Sequence, residues 1–108
     1  MADYWRKIAA SVRDFEATVG AGQVAIYGAG FYGNFIASTL IHPGRIACFV
    51  DRNQHLQRTF LNGKPILAPE QMPQTVTHVL VGMNPLIARM NIAAIDNWRD
   101  RQFSYFFL

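Results

Sequence analysis

Gln23-Val24-Ala25-Ile26-Tyr27-Gly28-Ala29-Gly30-Phe31-Tyr32-Gly33 runs from a short apolar segment straight into a glycine turn. Val24 to Tyr27 shows no polar alternation, as in a strand covered on both faces. Gly28 to Gly33 then fits G-x-G-x-x-G, a weak pattern alone that gains weight from standing between a strand and a helix. That helix is predicted over Phe31 to Ile41, with Phe31, Phe35, Ile36 and Leu40 on one face and Pro43-Gly44 ending it. In such a turn Gly28 permits the tight bend, and Gly30 leaves out the Cβ that would hold an anion off the backbone. Gly33 lets the helix lie close to the strand. Free N–H groups of the first helical turn, backed by the helix dipole, then form a place for a diphosphate.

Before this unit, Trp5, Ile8, Val12, Phe15 and Val19 recur at spacings of three and four. They predict an amphipathic helix that Asp3 can cap and that Gly20 and Gly22 stop. After it, Arg45 to Val50 reads as a second apolar strand ending in the polar turn Asp51-Arg52-Asn53. Asp51 lies 18 positions beyond Gly33, where a carboxylate can accept from a ribose diol, and Arg52 brings a positive charge for a phosphate. Asn62-Gly63 between Thr59-Phe60-Leu61 and Lys64-Pro65-Ile66-Leu67 predicts a small hairpin excursion, with Pro65 limiting its pairing to an edge. Pro69 to Met72 can start one helical turn, and Val76 to Val81 is another buried strand. Asn84-Pro85 opens a helix whose inner face is predicted to carry Ile87, Met90, Ala94 and Trp98, and Phe103 to Leu108 is a last strand.

Four main strands alternating with helices imply an α/β fold: a parallel sheet with helices on both faces, right-handed crossovers and a leading N-terminal helix. Ligands of open α/β sheets sit beyond the carboxyl ends of the strands, so Gly82-Met83-Asn84 forms the second lip of the crevice. Each of these residues also has a plain structural reading. The glycines make a tight turn, Asp51 caps a loop, Asn84 caps its helix, and Phe31 and Tyr32 either stack on a base or sugar or cover the neighbouring loop.

With 108 residues, 51% apolar and 16% charged, the chain is read as one domain over 1–108, a leading helix in 1–20 and an α/β core in 23–108. The lone Cys48 makes no internal disulfide, and the three histidines have no zinc spacing. No signal peptide or run of about 20 apolar residues is present, so a cytoplasmic address and no membrane partner are expected. The net charge of +3 is spread along the chain, which speaks against nucleic acid. His42, His55 and His78 lack nucleophile or carboxylate partners in sequence, Cys48 falls in a buried strand, and the length leaves little room for a second catalytic region. A binder, not a complete enzyme, is expected.

Tyr27-Gly28-Ala29 with Gly33-Asn34, then Val50-Asp51-Arg52-Asn53, then Gly63-Lys64-Pro65-Ile66 and Pro69-Glu70 form an ordered set. Together they resemble the Rossmann-like C-terminal domain of S-adenosylmethionine-dependent sugar C-methyltransferases. Domains attached to other methyltransferases, sugar acetyltransferases and nucleotide-sugar dehydratases share the layout. The likeness runs from about Trp5 to Trp98 and implies a small Rossmann-like sheet of four main strands plus a minor hairpin. It further implies a ligand (a nucleotide-sugar, NAD(P) or another nucleotide) at Gly28, Ala29, Gly30, Gly33 and Asn34, with Asp51 and Arg52 on its ribose or phosphate side. The chemistry would belong to a fused or associated catalytic domain. Tyr32 stands where that family often has a lysine, and Gln54 to Arg58 lacks its glycine. The expected function is a nucleotide or nucleotide-sugar binding module attached to a sugar-modifying enzyme, with a homodimer open to it. Two alternatives stand beside it. One is a vestigial domain serving interaction or dimerisation through the Trp5 helix or the Phe103 to Phe107 edge; the other is a small NAD-dependent oxidoreductase.

Overall fold

A computed structural model describes residues 2–107. In chain order it contains α1 (Ala2–Glu16), β1 (Gln23–Tyr27), α2 (Phe31–Thr39), β2 (Ile46–Val50), β3 (Phe60–Leu61), β4 (Lys64–Leu67), β5 (Val76–Val81), α3 (Pro85–Ala93) and β6 (Ser104–Phe107), with single 3₁₀ turns at Pro43–Arg45, Pro69–Gln71 and Asp96–Trp98. The fold is α/β around one mixed sheet of order β3-β4-β2-β1-β5-β6. Every neighbouring pair is parallel except β3 with β4. The expected hairpin is therefore no excursion. β4 pairs with β2 through Phe49↔Ile66 and Val50↔Leu67, and the sheet has six strands instead of four. Pro65 is tolerated because only Ile66 and Leu67 of β4 join the β2 ladder, while Pro65 faces the two-residue edge strand β3.

Strand alternation sends Val24, Ile26, Phe49 and Leu80 to one side of the sheet, where they pack with Val12, Val19, Ile36 and Leu40 from α1, α2 and their flanks. Ala25, Tyr27, Cys48, Val50, Val79 and Val81 face the other side, against Met72, Ala88, Ile95 and Trp98. β1 has neighbours on both edges and cover on both faces, hence its unbroken apolar run. Trp98 closes the second layer. It is 3% exposed, its Nε1 donates to Pro69 O at 2.8 Å, and its ring meets Tyr27 and Phe103 edge-on.

Two elements differ from the sequence reading. α1 ends at Glu16, short of Val19, and Asp3 stands inside its first turn instead of capping it; Met1 and Leu108 lie outside the described residues. α3 turns a different face inward. Ile87 and Met90 are 56% and 75% exposed, whereas Ala88 and Ile95 are buried, and Trp98 belongs to a separate 3₁₀ turn. Asn84 fixes where the helix begins and hence its phase, its Oδ1 accepting from Leu86 N at 2.9 Å. Apolar residues lie on both faces of α3, so spacing alone does not distinguish them.

Glu16 is the one buried charged side chain among the described residues. Its Oε1 and Oε2 accept from Ile41 N at 2.9 Å and His42 N at 2.8 Å, fastening the end of α1 to the turn after α2. Glu16→Ala leaves both N–H groups without their acceptor and is expected to cost about 2–3 kcal/mol. Glu16→Gln, which keeps one acceptor oxygen, should recover part of this in urea unfolding, and equal losses for the two would refute the clasp.

Burial pushes the Cys48 thiol up from its ordinary value of 9.0 to about 11. The unfolded chain therefore releases this proton first, and the contribution to stability is intact below pH 9 and declines as pH rises toward 11. At pH 8 a thiol reagent should label Cys48 at the rate of unfolding, and fast labelling of native protein would contradict its placement. Among the described residues no helix is long and apolar enough to cross a membrane, and no His, Cys, Asp and Glu cluster is arranged to hold a metal ion.

Candidate functional site

The chain leaves β1 through α2 toward β2, and leaves β5 through α3 toward β6, so the connections diverge between the adjacent strands β1 and β5. Divergence at the carboxyl ends of neighbouring strands opens a crevice there. Gly28 makes the turn out of β1 at φ +100°, a left-handed conformation that side chains resist, and its N–H donates to Val50 O at 2.7 Å. A Cβ on Gly33 would run into the Gly28 carbonyl oxygen, and a Cβ on Gly82 would sit 2.6 Å from Gly33 N and 2.7 Å from Gly33 Cα. Three glycines thus let the start of α2 rest directly on the ends of β1 and β5.

Gly30 is different. It has φ −91° and ψ −155°, and a Cβ built there meets nothing within 4 Å. It is the N-cap of α2 but offers no side-chain cap. The first backbone bond of the helix runs from Asn34 N to Gly30 O at 3.0 Å, leaving the N–H groups of Gly30, Phe31 and Tyr32 without an acceptor among the described residues.

Asp51 is brought to this loop but already has partners in the chain. Its Oδ2 accepts from Ala29 N at 2.9 Å and its Oδ1 from Asn53 N at 2.8 Å, tying the glycine turn to the loop after β2. Each oxygen retains a second lone pair for a hydroxyl. Arg52 reaches toward the α3 side, its Nε donating to Tyr27 Oη at 3.3 Å and its Nη2 to Asn91 O at 3.1 Å. Burial raises the Tyr27 phenol pKa, an effect the adjoining Arg52 partly offsets. The phenol therefore keeps its proton through the neutral range. Asn34 points elsewhere. Its Oδ1 accepts from Asn62 Nδ2 at 2.9 Å and holds the tip of the β3–β4 hairpin.

Across the crevice, Asn84 caps α3 and lines a cleft of about 230 Å³ together with Tyr4, Tyr32, Met83 and Pro85. No charged side chain lines it. Tyr32 stacks on Trp5 with centroids 6.1 Å apart, and Phe35 packs against the same indole at 4.7 Å. Phe31, at 72% exposure, leans edge-on to Trp5 and Tyr32. The structure therefore brings Gly28, Ala29, Gly30, Phe31, Tyr32, Gly33, Asp51, Gly82 and Asn84 to the carboxyl end of the sheet, with Arg52 at its flank and Asn34 turned aside. Tyr4 was not expected there. Its only signal in sequence is its place beside Trp5 on a helix that must pack near α2.

Comparison with protein-family models, with curated proteins and with solved structures gives no match for this chain.

Proposed function

We propose that the chain is a Rossmann-like module that binds a nucleotide or nucleotide-sugar through its diphosphate, for a catalytic domain fused to it or associated with it. The observation that carries this reading is Gly30. Folding accounts for Gly28, Gly33 and Gly82 by φ or by contact, whereas neither a positive φ nor a close neighbour requires glycine at position 30. A bare N-cap in front of three free N–H groups is what an anion needs, since the helix N-terminus carries partial positive charge and a missing Cβ admits close approach. Asp51 stands on the β2 side of that point for ribose hydroxyls. The neutral cleft of Tyr4, Tyr32, Met83 and Asn84 stands on the β5 side for the uncharged end of the ligand.

The test is thermal unfolding with a nucleoside diphosphate, a nucleoside diphosphate hexose and NAD. A ligand at a hundred times its Kd stabilises the native state by about 2.7 kcal/mol. At roughly 4–8 °C per kcal/mol for a domain of this size, Tm should rise by more than about 10 °C. No shift from any of the three refutes the reading.

A further inference from the structure

A second recess lies beside Asp51, between the loops that follow β2 and β4. It encloses about 240 Å³ and is lined by Arg52, Gln54, Gln57, Ala68, Pro69 and Glu70. That is below the roughly 300–1,000 Å³ of a pocket for a drug-sized ligand and suits a single flat ring system. Its walls are fixed by bonds to the backbone. Gln57 Nε2 donates to Asp51 O at 2.8 Å, which sets the recess next to the carboxylate placed for ribose. On the β4 side, Trp98 Nε1 donates to Pro69 O at 2.8 Å and Asn97 Nδ2 to Glu70 O at 2.9 Å. The Arg52 guanidinium, tied to Tyr27 Oη and Asn91 O, is a planar group on which a base can stack. These bonds leave the Glu70 carboxylate over. It has neither a hydrogen bond nor an ion pair among the described residues, where the one ion pair joins Arg99 to Asp96.

We propose that this recess takes the base of the nucleotide and that Glu70 selects guanine. The inference rests on the nucleotide reading of the crevice and names the ligand class within it. An ionised carboxylate only accepts hydrogen bonds. Guanine alone among the common bases sets two donors side by side on its pairing edge, N1–H and the N2 amino group, to match the two carboxylate oxygens. Adenine and cytosine place a ring acceptor beside their amino group, and uracil and thymine flank N3–H with two carbonyl oxygens, so each of these turns a lone pair toward the carboxylate. Guanine O6 is left for a donor, which the Gln54 amide in the same wall supplies. Reading a base by its pairing edge while stacking on its face is how unpaired bases are told apart. The ligand class is guanosine diphosphate or a guanosine diphosphate sugar.

The test is isothermal titration calorimetry of the intact chain with guanosine, inosine, adenosine, cytidine and uridine diphosphates. Guanosine diphosphate should bind at least about tenfold more tightly than each of the others, the effect of one hydrogen bond to a charged group. Inosine diphosphate lacks only the N2 amino group and so isolates that bond. In Glu70→Ala the ratio of guanosine to inosine affinity should fall to about one. Asp14→Ala, which makes the same change in net charge on the exposed side of α1, should keep the ratio. Circular dichroism of Glu70→Ala should match the wild type, because the side chain is exposed and the bonds at this turn are made by backbone oxygens. Equal affinities for all five, tighter binding of another base, or a Glu70→Ala protein that keeps the ratio would each overturn the guanine assignment and leave the nucleotide module standing. No binding of any diphosphate would remove both.

Discussion

Gly33→Ala is expected to cost about 3 kcal/mol or more of folding stability, a large part of what a domain of this size possesses. The added methyl would strike the Gly28 carbonyl oxygen and lie 3.0 Å from Gly28 C and 3.3 Å from Ile26 Cγ2. None of these atoms is free to yield. Gly28 is held at φ +100° with its N–H on Val50 O, Ile26 is fully buried in β1, and Gly82 closes the remaining side with its N–H on Tyr27 O at 2.8 Å. The helix must lift off the sheet, taking Ile36 and Ala37 partly out of the core. With a slope of roughly 1–2 kcal/mol/M, the urea midpoint should fall by about 1.5–3 M. A fall below about 0.3 M would mean that the loop has room the structure denies it.

Gly30→Asp, three residues earlier, should do the reverse for folding and abolish ligand binding. The backbone at position 30 is open to any residue, and aspartate is a favoured N-cap that also complements the helix dipole. Stability should hold or rise by about 0.5 kcal/mol. The same carboxylate accepts from the N–H of Tyr32 or Gly33 and repels a diphosphate, so the thermal shift of more than about 10 °C expected for the wild type should vanish. Gly30→Ala, with bulk but no charge, should fall between. A Gly30→Asp protein that still responds like the wild type would remove the α2 N-terminus from the site, whatever ligand is used. The opposite signs on stability and binding distinguish a binding glycine from the folding glycine at 33.

The legible part of the fold is the part set by local rules. Val24 to Tyr27 followed by Gly28 announces a covered strand and a tight turn, and Asn84-Pro85 announces a helix start, because each depends on residues adjacent in the chain. What escaped depends on partners far away. Lys64 to Leu67 joins the main sheet because β2 offers it an edge, which no feature of the hairpin itself reveals. The inward phase of α3 was hidden because its outer residues are as apolar as its inner ones. At the site, glycine spacing located the loop, but the contrast between Gly30 and its neighbours needs the positions of Gly28 O and Gly82. Glu16 gave no sign in sequence of accepting from Ile41 and His42, since a glutamate at the end of an amphipathic helix reads as solvated.

The two tryptophans lie on opposite layers of the sheet, Trp5 among Phe31, Tyr32 and Phe35 beside the glycine loop, Trp98 sealed against Tyr27 and Phe103. The molecule thus carries two native chromophores with separate assignments. Emission from the half-buried Trp5 follows events at the crevice mouth, and that from Trp98 follows the integrity of the far layer. With Trp5→Phe or Trp98→Phe as single-chromophore versions, occupancy and unfolding become separately visible without any added label.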